Sequence, residues 1–152
     1  MGAPQTVLIT GAAGHLGQAV AATFRQRGAR LVLADRRLDA LKAAFDHADD
    51  VLLLPIDLMD RDALQAGVQQ ALDRFGAIDA CCHIAGGFRM GESVHETSAT
   101  TWDFLMDLNA RTLINVATAV VPAIIQRGRG RGRIVTVGAG AALKGGAHMG
   151  AY

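Results

Sequence analysis

Gly11, Gly14 and Gly17 follow directly on the apolar run Val7-Leu8-Ile9, within Thr10-Gly11-Ala12-Ala13-Gly14-His15-Leu16-Gly17. Glycines spaced this way between a strand and a helix make a turn that binds a dinucleotide. Gly11 permits a tight turn out of the strand. Gly14 lets the backbone approach a pyrophosphate with no Cβ in the way, and Gly17 lets the helix pack closely on the sheet. The helix opening at His15 and Leu16 offers free N–H groups and a partial positive charge to the phosphates. Asp35, at the end of the next predicted strand, can accept hydrogen bonds from both hydroxyls of the adenosine ribose. Its negative charge opposes a 2′-phosphate, which favours NAD over NADP. Arg36 and Arg37 pull the other way, since an arginine there can hold that phosphate.

Two further clusters carry weaker signals. Cys81-Cys82-His83 has the residue types of a metal site. Successive side chains of a strand point to opposite faces, so three in a row do not converge on one ion, and no metal is expected. Small apolar residues in a buried strand are the better reading. These are the only cysteines, and an adjacent pair cannot staple distant segments, so a secreted disulfide scaffold is not expected either. Residues 127–133 read Arg-Gly-Arg-Gly-Arg-Gly-Arg. Nucleic-acid tails of that type run longer and sit in disordered ends. This run joins a predicted helix to a predicted strand and reads as a solvated connector, so no nucleic-acid partner is expected.

Holding a glycine turn and Asp35 together requires strands and helices in alternation, and the chain reads that way. Strands are expected at residues 5–10, 30–34, 51–56, 78–84 and 133–137. Leu16, Val20 and Phe24 give the first helix one apolar face, and Gly28 stops it. Leu38, Leu41 and Phe45 mark a short second helix. Asp60 can cap a third, carrying Leu64, Val68, Leu72 and Phe75 and ended by Gly76. A longer helix is expected over residues 98–126, bent or weakened near its end by Pro122. Residues 138–152, rich in Gly and Ala, read as a loop. Short connections between alternating elements imply an α/β fold: a doubly wound, Rossmann-like parallel sheet between two helical layers, with strand order 3-2-1-4-5. Ligands then bind at the switch point outside strands 1 and 4.

With 152 residues, 51% of them hydrophobic and 19% charged, the chain fits one globular domain. Fifteen basic against fourteen acidic residues leave +1, so no broad attraction to nucleic acid or membrane is expected. The apolar stretch at residues 113–125 is interrupted by Asn115 and Thr118 and reads as too short to span a bilayer. No basic-then-apolar leader opens the chain, so a cytoplasmic location is expected.

In order and spacing, these segments resemble the short-chain dehydrogenase/reductase family. Residues 10–17 are similar to its fingerprint in the spacing TGxxGxxG, where many members have TGxxxGxG. Asp57, in Leu54-Pro55-Ile56-Asp57-Leu58, resembles the aspartate that contacts the adenine amino group. His83-Ile84-Ala85-Gly86 lies where the family has Asn-Asn-Ala-Gly, which puts Ala85 and Gly86 at the cofactor. Asn109, in Met106-Asp107-Leu108-Asn109, resembles the asparagine of the fourth helix, and Tyr152 lies where the family's Tyr-x-x-x-Lys begins. The resemblance implies hydride transfer between a nicotinamide and a carbonyl or secondary alcohol. Tyr152 would be the general acid/base and Asn109 the anchor of a water relay.

The sequence departs from the family pattern at three places. The family's serine belongs thirteen residues before the tyrosine, where this chain has Ala139, which offers no hydroxyl. His83 stands for an asparagine that ties the fourth strand to its neighbour; it can make a similar bond or fill space. No lysine follows Tyr152 within the chain. The first and third departures leave open a catalytically impaired dinucleotide-binding protein. Thr136, Lys144 and His148 are the polar groups near the missing serine, and Phe88, Arg89, Met90 and Lys144 are expected to border the substrate. The resemblance covers roughly the first three-fifths of a domain of about 250 residues. The chain is therefore expected to be part of a longer protein, its fifth strand an exposed edge, and the complete protein a homo-oligomer (dimer or tetramer).

Overall fold

Val7-Leu8-Ile9 and Leu31-Val32-Leu33 are unbroken apolar runs, as strands covered on both faces require, and all six residues are buried. The computed structural model describes residues 5–46, 48–127 and 132–152. Its elements are β1 (Thr6–Thr10), α1 (His15–Gln26), β2 (Arg30–Asp35), α2 (Leu38–Ala44), β3 (Val51–Pro55), α3 (Arg61–Phe75), β4 (Ala80–His83), α4 (Ala99–Met106), α5 (Thr112–Arg127) and β5 (Arg133–Thr136). Every strand pairing is parallel, and the order is β3-β2-β1-β4-β5. This is the doubly wound order expected from the alternation of elements.

The two-residue period of the strands divides the core between the faces of the sheet. Leu8, Val32, Leu54 and Cys81 pack with Leu64, Val68 and Leu72 of α3 and Val116 and Val120 of α5. Val7, Ile9, Leu31, Leu33 and Cys82 pack with Ala21 of α1 and Leu41 of α2. The adjacent cysteines thus enter opposite cores. Burial pushes the Cys81 thiol up to about 12, with Cys82 beside it adding to the shift.

Local signals end the helices where the sequence suggests. Asp60 caps α3 by accepting from the Ala63 N–H at 2.9 Å, and Gly76 closes it in the left-handed region at φ 82°. β4 is shorter than residues 78–84. At its start the Asp79 carboxylate accepts from the Thr6 N–H at 2.7 Å, and at its end Thr10 Oγ1 takes the Ile84 N–H at 3.2 Å. At each end a side-chain oxygen thus takes a backbone N–H, and at the start the Asp79 N–H still donates to the Thr6 carbonyl at 2.9 Å.

The expected helix over residues 98–126 is not regular. A π-helical segment, Asp107–Arg111, separates α4 from α5. Pro122 lies inside α5, which nonetheless continues to Arg127. Packing of Val116, Val120, Ala123 and Ile124 outweighs the hydrogen bond that proline removes. The continuous helical span 99–126 is long and apolar enough, by length and composition, to cross a membrane, with mean hydropathy 1.5 over its most apolar window. That exceeds the interrupted apolar run 113–125 seen in the sequence. Val116, Ala119, Val120, Ala123 and Ile124 of this span pack in the core with α3. β5 is exposed along its whole length, with Val135 53% accessible. Of the Arg-Gly run, residues 128–131 lie outside the described residues.

Candidate functional site

The chain leaves β1 at Gly11 with φ +64°, a left-handed turn that a side chain would strain. A Cβ on Gly11 would stand 2.8 Å from the Ala85 nitrogen, so the turn lies directly against the loop that follows β4. A Cβ on Gly17 would strike the Gly11 carbonyl and come 2.7 Å from Ala12 Cα, so α1 rests on the turn it follows. Gly14 is the N-cap of α1 and meets only the Gly11 carbonyl, at 3.3 Å. Among the described residues no side chain caps α1, and no acidic residue stands in its first turn. The first-turn N–H groups, with those of His15 and Leu16 among them, are therefore left to solvent or to an anion.

Asp35 ends β2 beside this turn. Its carboxylate accepts from the Ala13 N–H and the Arg37 N–H, each at 3.2 Å. The turn is also tied to β2 by Ala12 N–H donating to Ala34 C=O at 3.1 Å. Asp57, exposed at the carboxyl end of β3, accepts from the Met59 N–H at 2.9 Å. Leu58 is fixed from the opposite side, because the buried Asn115 amide of α5 donates to its carbonyl at 3.0 Å.

These elements enclose a cleft of about 460 Å³ outside the carboxyl ends of the strands, at the switch point between β1 and β4. Gly11, Asp35, Arg36, Asp57, Leu58, Ala85 and Gly86 line it together. Gly14, His15, Leu16 and Gly17 continue the turn beside Gly11. Ile56, Met59, Phe104, Asp107, Leu108 and Thr112 also line the cleft, and the sequence reading did not name them for it. Ile56 and Met59 flank Asp57 and Leu58 in the chain; the other four come from α4, α5 and the segment between them, for which sequence spacing offers no guide. A smaller hollow of about 360 Å³, bordered by Ala48, Asp49 and Arg74, lies at the opposite end of the sheet.

Asn109 sits in the π-helical segment. Its Oδ1 accepts from the Gly87 N–H at 2.8 Å, and its Nδ2 donates to the Gly87 carbonyl at 3.0 Å. The amide thus fixes the loop that begins at Ala85. A Cβ on Gly86 would stand 3.0 Å from Asn109 Oδ1, which explains a small residue there.

His83 is 4% exposed at the end of β4. Its Nδ1 is 3.0 Å from Thr10 Oγ1, and its Nε2 is 3.5 Å from Thr112 Oγ1. Of the two readings of this residue, the hydrogen bond between strands is the one observed. Burial lowers its imidazole below the ordinary histidine range. The same Thr10 hydroxyl also accepts from the Ile84 N–H at 3.2 Å and the Ala85 N–H at 3.3 Å. Neither Thr10 nor Thr112 was identified as a site residue from the sequence, because their partners are remote in the chain.

Tyr152 is 39% exposed, and its ring meets Phe88 edge-on with centroids 4.7 Å apart. Two loops clasp near it. The Gly91 N–H donates to the His148 carbonyl at 2.9 Å, and His148 itself adopts φ 60°. Arg89 lies over the Phe104 ring at 3.9 Å. Glu92 accepts from Ser98 Oγ at 2.9 Å and Thr101 Oγ1 at 3.1 Å, which fastens the loop to α4. Hydrogen bonds from its own backbone N–H and from Ser98 hold its carboxyl below the usual range. Ala139 precedes a short 3-10 turn, Gly140–Ala142, and Thr136, Lys144 and His148 are all exposed.

The description "short chain dehydrogenase" fits the family whose sequence pattern matches residues 5–152. Sorbitol dehydrogenase of Cereibacter sphaeroides is 32% identical over 149 residues, covering 97% of this chain and 57% of the relative. An NADP-dependent 3-hydroxy acid dehydrogenase of Salmonella typhi is 29% identical over 133 residues, covering 87% of this chain and 53% of the relative. The fold is also that of the crystal structure of 3-ketoacyl-(acyl-carrier-protein) reductase from Brucella melitensis complexed with NADH. That similarity has a TM-score of 0.89 at 23% identity and covers 99% of this chain and 63% of the other. The chain spans about half the length of the curated relatives it matches. The glycine turn on an uncapped helix, the cleft at the switch point and a family match over nearly every residue lead to one conclusion: the chain belongs to the short-chain dehydrogenase family.

Proposed function

We propose that this chain is the dinucleotide-binding part of an oxidoreductase that transfers hydride between a nicotinamide cofactor and a small carbonyl or secondary alcohol. The observation that carries the reading is the convergence of Gly11, Asp35, Asp57, Ala85 and Gly86 on one cleft beside an uncapped helix N-terminus. The fit is chemical. Free N–H groups suit a pyrophosphate, and the Asp35 carboxylate has acceptor capacity left for ribose hydroxyls after serving Ala13 and Arg37. Asp57 is exposed to take an amino donor. When bound, the nicotinamide supplies or takes the hydride.

In this reading Tyr152 gives or takes the hydroxyl proton, and Asn109 anchors the relay that refills it. A tyrosine that serves as acid and base near neutral pH works best beside a positive charge. Asn109 holds Gly87 with both ends of its amide, which would keep in place the loop whose Ala85 and Gly86 border the cleft. Asp35 favours NAD over NADP. Arg36, which also lines the cleft, is the group that would accept a 2′-phosphate. The complete protein is read as a cytoplasmic homo-oligomer acting on a small molecule, with no nucleic acid, membrane or metal in its function. Parallel fluorescence titrations with NADH and NADPH test the cofactor. NADH should bind at least about tenfold more tightly, and equal binding sinks the preference.

A second reading is favoured by Ala139: a dinucleotide-binding protein with impaired chemistry. Alanine there cannot donate to a substrate oxygen. The Ala139→Ser variant separates the two. A rise in turnover with unchanged NADH affinity supports a weakened site, and a fall means the loop is built for alanine.

A further inference from the structure

Thr10 Oγ1 has one proton and two lone pairs. It accepts from the Ile84 and Ala85 N–H groups, so its proton is left to donate. The acceptor in reach is His83 Nδ1, at 3.0 Å. That nitrogen is therefore bare, and a neutral ring carries its proton on Nε2. Nε2 faces Thr112 Oγ1 at the long distance of 3.5 Å. Thr112 can accept, because its own proton goes to the Leu108 carbonyl at 2.7 Å. Leu108 is the residue before Asn109, inside the π-helical segment. Donors and acceptors run in one direction from the glycine turn, through β4, to the segment that holds Gly87.

We propose that His83 is a positioning residue: as the neutral Nε2–H tautomer it links Thr10, at the root of the glycine turn, to Thr112, at the root of the Asn109 segment. The cofactor turn and the Asn109–Gly87 bond are thereby held in one register. An asparagine at this position would be shorter and would reach Thr10 alone; the imidazole spans both partners. Burial, which disfavours the charged ring, keeps Nδ1 available to Thr10. The functional meaning of the link rests on the dinucleotide reading above.

The test is nuclear magnetic resonance on the full chain. Long-range proton–nitrogen correlation of the His83 ring near neutral pH should show Nε2 protonated and Nδ1 bare; the opposite tautomer overturns the proposal. Amide exchange then reads the two ends, Ala85 N–H at Thr10 and Gly87 N–H at Asn109. His83→Phe keeps an aromatic ring but no nitrogen, and both amides should exchange about tenfold faster. His83→Asn should preserve Ala85 and speed Gly87. Wild-type rates at both amides in His83→Phe mean that the residue only fills space, and the proposal fails. If the phenylalanine variant does not fold, the tautomer and the asparagine variant still decide. An NADH titration of the wild type runs alongside. Absence of binding there refutes the dinucleotide reading and leaves the exchange result to judge the link by itself.

Discussion

Gly11→Ala should be far more damaging than Gly28→Ala, although both glycines have positive φ. Gly11 lies at φ +64° and Gly28 at φ +75°. An alanine in that region is strained by about 1 kcal/mol at either site. The surroundings differ. Among the described residues nothing lies within 4 Å of a Cβ built on Gly28, whereas one built on Gly11 stands 2.8 Å from the Ala85 nitrogen and 2.9 Å from its Cα. Those are backbone atoms in a loop held by Thr10 and Asn109, and they cannot move aside as a flexible side chain can. Forcing such an overlap costs about 1–3 kcal/mol more. The sum is about 2–4 kcal/mol for Gly11→Ala against about 1 kcal/mol for Gly28→Ala. For a chain of this size, each kcal/mol lowers Tm by roughly 2–4 °C. Thermal unfolding of both variants without cofactor, followed by NADH titration, checks this. Gly11→Ala should also weaken NADH by at least about tenfold, because the turn must shift, while Gly28→Ala leaves NADH binding intact. Equal destabilisation of the two variants would refute the argument that the turn is wedged against Ala85.

Asp60→Ala removes the oxygen that accepts from Ala63 N–H and should lower stability by about 1 kcal/mol in urea unfolding, with NADH affinity unchanged. His83 gives a pH signature whose sign follows from its depressed folded pKa. The unfolded chain takes the proton more readily, so the His83 contribution is complete above about pH 6.5 and declines as pH falls from there towards the folded value. Urea midpoints measured through that window should drop less in His83→Asn than in the wild type; parallel curves would contradict the assignment.

The alternation of strand and helix made the parallel sheet and its order legible, because burial on both faces leaves apolar runs that no other arrangement needs. The glycine spacing and Asp35 were legible for a similar reason: each answers to a local backbone demand. Thr10, Thr112 and Asn115 were not. Each is a polar residue beside or within an apolar run, and each works through a partner distant in the chain, such as Leu58 for Asn115. A sequence reading takes such residues as interruptions of a pattern. The π-helical segment was hidden for a different reason. Buried apolar residues lie on both sides of it, Leu105 before and Val116 and Val120 after, so the sequence reads as one helix, although the inserted residue shifts the helical phase and Asn109 bonds to Gly87. Asn109 itself was reached only through the family resemblance.

Asp35 has two tasks, and one substitution can separate them. An ionised carboxylate offers about four lone-pair sites. Two serve Ala13 N–H and Arg37 N–H, both at 3.2 Å, which leaves acceptor capacity on the cleft side for ribose hydroxyls. Asp35→Asn keeps one oxygen and replaces the other with an NH2 group. That group faces a backbone N–H, whichever way the amide turns, so one bond to the turn becomes a donor–donor contact. The variant should lose about 1–3 kcal/mol of stability without any ligand. It also removes the negative charge that would oppose a 2′-phosphate, while Arg36 remains at the cleft. NADH affinity should therefore fall by about tenfold, and NADPH affinity should fall less or rise. Paired titrations at matched ionic strength read the ratio, because salt screens the repulsion between exposed charges. A ratio identical to the wild type's would mean that Asp35 holds the turn without discriminating between the cofactors, and discrimination would then belong to Arg36 and Arg37.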